Sequence, residues 1–561
     1  MTDEIATTPL DTHFAALMLR LNGTPDADLS RVAETVSAWR GAGHTCVPLA
    51  EIGGKNLRQR LRACAVVGEP GEFKPLILDR ADRLYLQRYW AYEAGLAAAI
   101  RQRIESIECD EALLAEGLAH HFPNAPADDP QRTATATAVR RRFCVITGGP
   151  GTGKTYTIAR LLALLADQFH ASSRKPRILL AAPTGKAAAR MQESIARFIS
   201  ALPASEALRR SPPAEAGTIH RLLGTIPNSP DFRHDRTRPL AADVVVIDEA
   251  SMVDLALMAK LFAALPDAAR VVLVGDKDQL ASVEAGNVLG DICGTGGADA
   301  DAPIASHIVE LKTAHRFERE SAIQRLSELV NAGGTDAALA LLHEAGRTDL
   351  RLAPTPAARE IEAAIQPLVI EAFRPFLEAT DPQPALERLA QFRILCAARR
   401  GPFGVENLNA IVERVLAMEG LIAPGSAHYH GRPILIGAND YQLRLFNGDV
   451  GLILRDADAG GELRAFFTDA AGALRRVLPS RLPAHETSFA MTVHKSQGSE
   501  FERVLLVLPE RDTPLATREL LYTGLTRARR AVEVWGSDPV LRAAIGRRTQ
   551  RSSGLRDALW G

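Results

Sequence analysis

The sequence predicts an α/β protein with two parallel sheets in tandem, a helical N-terminal region and one small β-rich insertion. Three observations carry this reading. Short, almost wholly apolar runs at 143–147 (FCVIT), 178–184 (ILLAAPT), 244–250 (VVVIDEA) and 270–276 (RVVLVGD) alternate with helical periodicity. A second set at 394–399 (ILCAAR), 504–509 (VLLVLP) and 531–535 (AVEVW) repeats the pattern. Residues 1–125, in contrast, are Ala/Leu-rich and helical in character. Strands apolar along their whole length are buried on both faces, which is the condition of a parallel sheet covered by helices on either side.

Taken in order, residues 1–125 form a helical N-terminal domain with aromatic anchors Tyr85, Tyr89 and Trp90 and no catalytic constellation. The first α/β domain is expected over 126–355. Ile158, Leu161, Leu162 and Leu165 recur there at helical spacing and mark the crossover helix. Pro/Ala-rich residues 202–216 and Gly/Asp/Ala-rich residues 294–303 read as loops. The second α/β domain, 356–561, is interrupted at about 431–482 by short strands, an Asn447-Gly448 hairpin signal and an acidic, Gly-rich turn at 456–461.

Composition narrows the class. With 561 residues, 46% hydrophobic and 24% charged, the chain has the make-up of a soluble globular protein. No run approaches the ~18–20 apolar residues of a membrane span, so no membrane role is expected. The N-terminus, MTDEIATTPLDTH, carries acids where a secretory leader is basic. Six scattered cysteines form no Cys-x-x-Cys pair, which points to a reducing cytoplasm and away from disulfides or zinc. The net charge of −1 means that nucleic-acid affinity would need local patches: Arg140–Arg142, Arg399–Arg400, or Arg527, Arg529 and Arg530.

The chemistry begins at Gly148-Gly149-Pro150-Gly151-Thr152-Gly153-Lys154-Thr155, between a strand and a helix. Glycines there let backbone N–H groups close around phosphates, and the helix N-terminus adds positive potential. Lys154 reaches β- and γ-phosphates, and the Thr155 hydroxyl suits Mg²⁺. In VVVIDEAS, Asp248 at a strand end is the second Mg²⁺ group, and Glu249 beside it orients or deprotonates the attacking water. These two segments predict ATP hydrolysis. Gln279, after a third strand, is placed to read the γ-phosphate. Arg316 (AHRF) and Arg527 (YTGLTRARR) are candidate arginine fingers. Two other patterns are read as structural: Glu310-x-Lys312 with Asp299 or Asp301 upstream, which loosely fits a nuclease, and His428-x-His430, which lacks further ligands.

Together GGPGTGKT, APTGKAAAR (182–190), GTIHRLLG (217–224), VVVIDEASMVD (244–254), VGDKDQL (274–280), AHRF (314–317), TVHKSQGSEF (492–501) and LLYTGLTRARR (520–530) resemble superfamily 1 helicases, most closely the RecD family. The resemblance spans about 130–536. It implies two RecA-like P-loop motor domains, an SH3-like character for the insertion, and adenine contact by Gln131. It also implies a DNA groove lined by Thr184, Lys186, Thr218–His220, Thr492, His494 and Lys495. Ser496 and Gln497 would couple that groove to ATP, and Gly498 permits the tight loop between them. By the same resemblance the chain moves 5′→3′ on single-stranded DNA and joins RecB and RecC in a helicase–nuclease at double-strand DNA ends. Residues 1–125 would then dock on RecC. A stand-alone RecD-like repair or conjugative helicase remains an alternative, although the long N-terminal extension of such proteins is not seen. An ATPase that regulates a nuclease without moving DNA remains another.

Overall fold

The structure, a computed structural model, describes residues 5–201, 213, 215–294, 299, 301–313, 321–440, 442–469 and 472–561. Helices Pro9–Asn22 and Ala27–Gly41 pack on each other at the start of the chain. Asp26 caps the second, accepting from the N–H groups of Asp28 and Leu29. A four-stranded sheet then forms from β1 (Cys46–Pro48), β2 (Val67–Gly68), β3 (Leu76–Leu78) and β4 (Arg83–Leu86), in the order β1-β4-β3-β2. This sheet was not legible in a region that reads as helical. Strands of two to four residues are too short to display a period.

Nor is 125 a packing boundary. Leu29, Val32, Leu76 and Leu84 share a core of their own. Leu96 and Ile100, on helix Gln87–Arg101, instead join the core of the next sheet.

That sheet contains β5 (Phe143–Gly148), β6 (Ile178–Ala182), β7 (Gly217–Thr218), β8 (Val244–Ile247), β9 (Arg270–Gly275) and β10 (Ile308–Leu311). It is parallel throughout, in the order β10-β5-β9-β8-β6-β7. Alternation along β5 divides its two faces. Phe143 and Val145 pack with Leu96 and Leu261, while Cys144 and Ile146 pack with Ile158, Leu161 and Leu165 of helix Lys154–Ala171. Both faces are dry, which is why the sequence showed unbroken apolar runs.

The second lobe begins earlier than 356. β11 (Leu350–Ala353) pairs in parallel with the last strand of the chain, and helices Ala322–Ala332 and Thr335–Leu342 fill that lobe's core. β11 is an edge strand with the burial of a half-exposed segment, so it lacks the signal of a central strand. β12 (Phe392–Cys396) follows. Then comes an antiparallel insertion of β13 (Arg432–Ile436), β14 (Val450–Asp456), β15 (Glu462–Thr468), β16 (Leu474–Val477) and β17 (His485–Thr487). It runs past the expected 482. β18 (Ala490–Thr492), β19 (Phe501–Val507) and β20 (Ala528–Trp535) complete a parallel sheet in the order β11-β20-β19-β12-β18.

After helix Asp538–Gly546 the chain crosses back. Thr549 N–H donates to Glu519 at 2.9 Å, Thr45 N–H to the Ser552 carbonyl at 3.0 Å, and Gly554 N–H to the buried Glu93 carboxylate at 2.9 Å. Leu555 and Leu559 of the closing helix then enter the first lobe's core. No helix among the described residues is long and apolar enough to cross a membrane. The loop read at 202–216 lies largely, and that at 294–303 by half, outside the described residues.

Leu555 is 1% exposed, so Leu555→Ala is expected to cost about 2–5 kcal/mol. Chemical denaturation checks this; a loss near the roughly 0.5 kcal/mol of a surface site would show that the C-terminal helix is not part of that core.

A candidate nucleotide cleft and strand surface

β5 ends at Gly148 and the next helix starts at Lys154, so five residues must reverse the chain. Gly151 and Gly153 have φ of 81° and 85°, the left-handed region where only glycine is unstrained. A Cβ on Gly149 would lie 2.7 Å from the Tyr522 hydroxyl of the other lobe. Lys154 Nζ donates to the carbonyls of Gly148 (2.7 Å) and Gly149 (3.0 Å), and Thr152 Oγ1 to Gly149 (2.9 Å). Gln131, which is not among the residues lining the cleft described below, donates from Nε2 to the Thr152 carbonyl at 3.0 Å.

β8 delivers Asp248, whose Oδ1 accepts from the Glu249 N–H at 2.8 Å. Burial, reinforced by the Glu249 charge, pushes the Asp248 carboxyl up to about 6, while Lys154 and Arg190 pull against the rise. Glu249 has φ 51°, a conformation costly for a residue with a Cβ and frequent at functional sites. β9 leads to Asp276, 2% exposed, whose Oδ2 accepts from Gln279 Nε2 (2.9 Å) and from the Tyr522 hydroxyl (3.0 Å). Burial and the Asp276 charge raise the Tyr522 phenol well above its ordinary range, so it stays a donor. Gln279 Oε1 has no partner among the described residues.

Part of this set lines a cleft of about 630 Å³. One wall carries Pro150, Gly151, Gly153, Lys154, Thr155, Asp248, Glu249 and Gln279; the other carries Gly498, Glu500, Arg527 and Arg529. Arg527 is 3% exposed and fixed by the carbonyls of Thr523 (3.1 Å) and Ser499 (3.3 Å). The lobes also meet where Leu280 N–H donates to Thr523 Oγ1 (3.0 Å) and Gln497 Nε2 to the Leu280 carbonyl (2.8 Å). Arg316 lies outside the described residues.

The residues expected at a DNA groove sit at the ends of β6, β7 and β18. Thr184 Oγ1 accepts from the Ala187 N–H (3.2 Å), and Thr218 caps helix Ile219–Leu223 by accepting from the Arg221 N–H (3.1 Å). His220 is exposed, its ring edge-on to Phe232 at 5.7 Å. Thr492 Oγ1 accepts from the Lys495 N–H (3.2 Å), Lys495 pairs with Glu486 (2.6 Å), and Ser496 is buried with its hydroxyl on the Val493 carbonyl (2.7 Å). His494 is half-buried, and burial lowers its pKa with help from Arg551. Lys186 is not open to a groove here. Its Nζ donates across the lobes to Ser499 Oγ at 2.7 Å, and burial pushes it down to about 8.

Several basic clusters of the sequence prove to be paired rather than free. Arg140 bonds Glu111 (2.7 Å), Arg142 bonds Glu105 (2.9 Å), and Arg399 bonds Glu406 (3.0 Å). Glu310 pairs with Lys277 (2.9 Å), and His430 Nδ1 accepts from the Arg455 N–H (3.0 Å). No group of three or more metal-ligating side chains occurs among the described residues.

Sequence reasoning missed Tyr522, Arg190 and Glu500, although all three lie inside segments it had singled out. It also missed Tyr156 and Phe198, which line the same cleft with rings 5.3 Å apart. Arg160 covers Tyr156 at 3.5 Å, and this i,i+4 pair was legible from spacing. The contact with Phe198 was not.

Residues 131–285 match the AAA domain family and residues 487–534 the UvrD-like helicase C-terminal domain family. The chain is 40% identical over 576 residues to the RecBCD enzyme subunit RecD of Mycolicibacterium smegmatis, covering 98% of this chain and 97% of that protein. Identity to the Mycobacterium tuberculosis RecBCD enzyme subunit RecD is 42%, covering 97% and 94%. The ATP-dependent RecD2 DNA helicase of Deinococcus radiodurans is 30% identical over 85% of this chain and 58% of its own length. A solved Pif1 helicase structure superposes at a TM-score of 0.41 with 15% identity, covering 74% of this chain and 94% of that one, too loosely to bear on chemistry.

Removing the Tyr522 hydroxyl takes one of two side-chain donors from a buried carboxylate. Tyr522→Phe is therefore expected to cost about 1–3 kcal/mol, measured by chemical denaturation. A change within a few tenths would mean that Asp276 does not rely on the second lobe.

Proposed function

The chain belongs to the RecD family of RecBCD enzyme subunits, and from that premise we infer how its cleft serves an ATP-dependent DNA helicase. One observation carries the reading. Arg527 of the second lobe and Lys154 of the first line the same cleft, so a nucleotide bound there touches both lobes at once.

Lys154 exchanges the Gly148 and Gly149 carbonyls for β- and γ-phosphate oxygens, which are stronger acceptors. Glu249 orients the attacking water. Arg527, held by the carbonyls of Thr523 and Ser499, would have to give up one of them to meet the charge that develops on the transferred phosphoryl group. Thr155 and Asp248 would hold Mg²⁺. The raised carboxyl of Asp248 fits that role, since a dication beside it favours the ionised form. The ion supplies charge neutralisation to the phosphates.

The same residues connect chemistry to movement. Gln279 shares Asp276 with Tyr522, and Leu280, the next residue, holds Thr523 and Gln497. Opening or closing the cleft therefore shifts the segment Thr492–Lys495 relative to Thr184 and Thr218, the surfaces assigned to strand phosphates. Hydroxyls, backbone amides and lysines grip phosphates without reading base sequence. Alternating grip gives steps along single-stranded DNA, with 5′→3′ polarity and assembly with RecB and RecC assigned by family.

Lys154→Gln is expected to abolish ATP hydrolysis, and single-stranded DNA is expected to stimulate the unmodified chain. Turnover in the variant would refute the phosphate site, and an unstimulated rate would refute translocation. Strand displacement on 5′- and 3′-tailed duplexes tests polarity. Co-purification with RecB and RecC tests the assembly.

A further inference from the structure

The arginines of the cleft are held in different ways. Arg527 is bonded to carbonyls of its own lobe and nearly inaccessible. Arg190, on helix Gly185–Ala201 of the first lobe, bonds across to the Gly498 carbonyl. Its Nη2 stands 3.7 Å from Glu500 Oε1, too long for a tight charge-assisted bond, and its side chain keeps 42% exposure. Glu500, with a side chain only 13% exposed, also holds Arg529 of its own lobe at 3.0 Å. All three side chains line the cleft that contains Lys154, Thr155, Asp248 and Glu249.

Nothing in the assigned mechanism uses Arg190. A cation bonded across the cleft to a carbonyl, with a carboxylate only at long range, has a stronger partner available once a triphosphate enters. Leaving is inexpensive, because Glu500 keeps Arg529 and is not orphaned; an unpaired buried carboxylate would be costly. The long, partly solvated arginine stem can rotate without disturbing the core.

We infer that Arg190 is a further phosphate-contacting cation of this cleft, the second from the first lobe after Lys154, and that the Gly498 carbonyl and Glu500 together hold it in reserve as stand-ins for the terminal phosphate. The inference rests on the nucleotide reading of the cleft. Transfer of Arg190 from Gly498 and Glu500 to the nucleotide breaks a lobe-to-lobe contact as the γ-phosphate binds. Arrival of ATP, and not of ADP, then alters the join beside the Lys186–Ser499 bond. Glu500 is in this scheme a positioning residue.

The test uses the full chain with Arg190→Ala, Arg190→Lys and Glu500→Gln. It reads single-strand-stimulated hydrolysis together with affinity for ADP and for a non-hydrolysable ATP analogue. Arg190→Ala is expected to lower kcat by about tenfold or more and to weaken the analogue but not ADP, with partial recovery in Arg190→Lys. Glu500→Gln is expected to act in the opposite direction, tightening the analogue and leaving ADP unchanged. A mere interdomain brace would make both variants lose activity alike and affect ADP and analogue equally, which overturns the inference. So does an Arg190→Ala kcat within about twofold of the parent. Should the alanine variant not fold, an Arg190→Lys chain with the parent's kcat and the parent's affinity for the analogue overturns it equally. Lys154→Gln measured in parallel separates the two readings, since turnover there would overturn the nucleotide site itself.

Discussion

A buried carboxylate lies at the join between the two halves of this protein. Asp276 is almost inaccessible, and its Oδ2 is satisfied by Gln279 from its own lobe and Tyr522 from the other. A carboxylate in such a place must be compensated, because an unpaired buried charge costs several kcal/mol. The lobes therefore cannot part here without exposing Asp276 to water or supplying a new donor. Tyr522 also stands close enough to Gly149 that a Cβ there would lie 2.7 Å from its hydroxyl, so one side chain bonds the carboxylate and leaves room only for a glycine in the 148–153 loop. The glycine loop, the Gln279 amide and the lobe contact are parts of one assembly.

Connectivity reinforces that coupling. The chain leaves the first lobe after β10 and enters the second by helix Ala322–Ala332. It returns through 547–554 to seat Leu555 and Leu559 in the first lobe's core. Two covalent crossings restrict the relative motion more than one would, and the second is bonded to Thr45, Glu93 and Glu519 along its way. The N-terminal sheet, the first motor lobe and the end of the chain thus form one packed body, against which the second lobe with its β-rich insertion is set.

Much of the architecture was legible because burial leaves a direct trace in composition. Central strands such as β5, β8, β9 and β12, dry on both faces, read as largely apolar runs. Elements without that condition were missed or misassigned: β1 to β4 are too short, and β11 is an edge strand. The chemistry divided in the same way. Lys154, Asp248, Glu249 and Gln279 belong to local patterns whose spacing is dictated by one strand end and one turn. Tyr522 and Glu500 matter through what they meet across the cleft, and no local spacing records that. The paired arginines make the same point in reverse. Arg140 and Arg142 formed a basic cluster along the chain, yet in space each faces a glutamate.

By itself the sequence determined the two parallel sheets, the phosphate loop and its acidic partner strand, because each depends on contacts within a few residues and on simple burial. Only the tertiary structure decided which side chains close the cleft, where one lobe ends and the next begins, and that Lys186 turns to Ser499. Those outcomes depend on pairs hundreds of residues apart, such as Tyr522 with Asp276, whose meeting is set by packing and by the need to compensate buried charge.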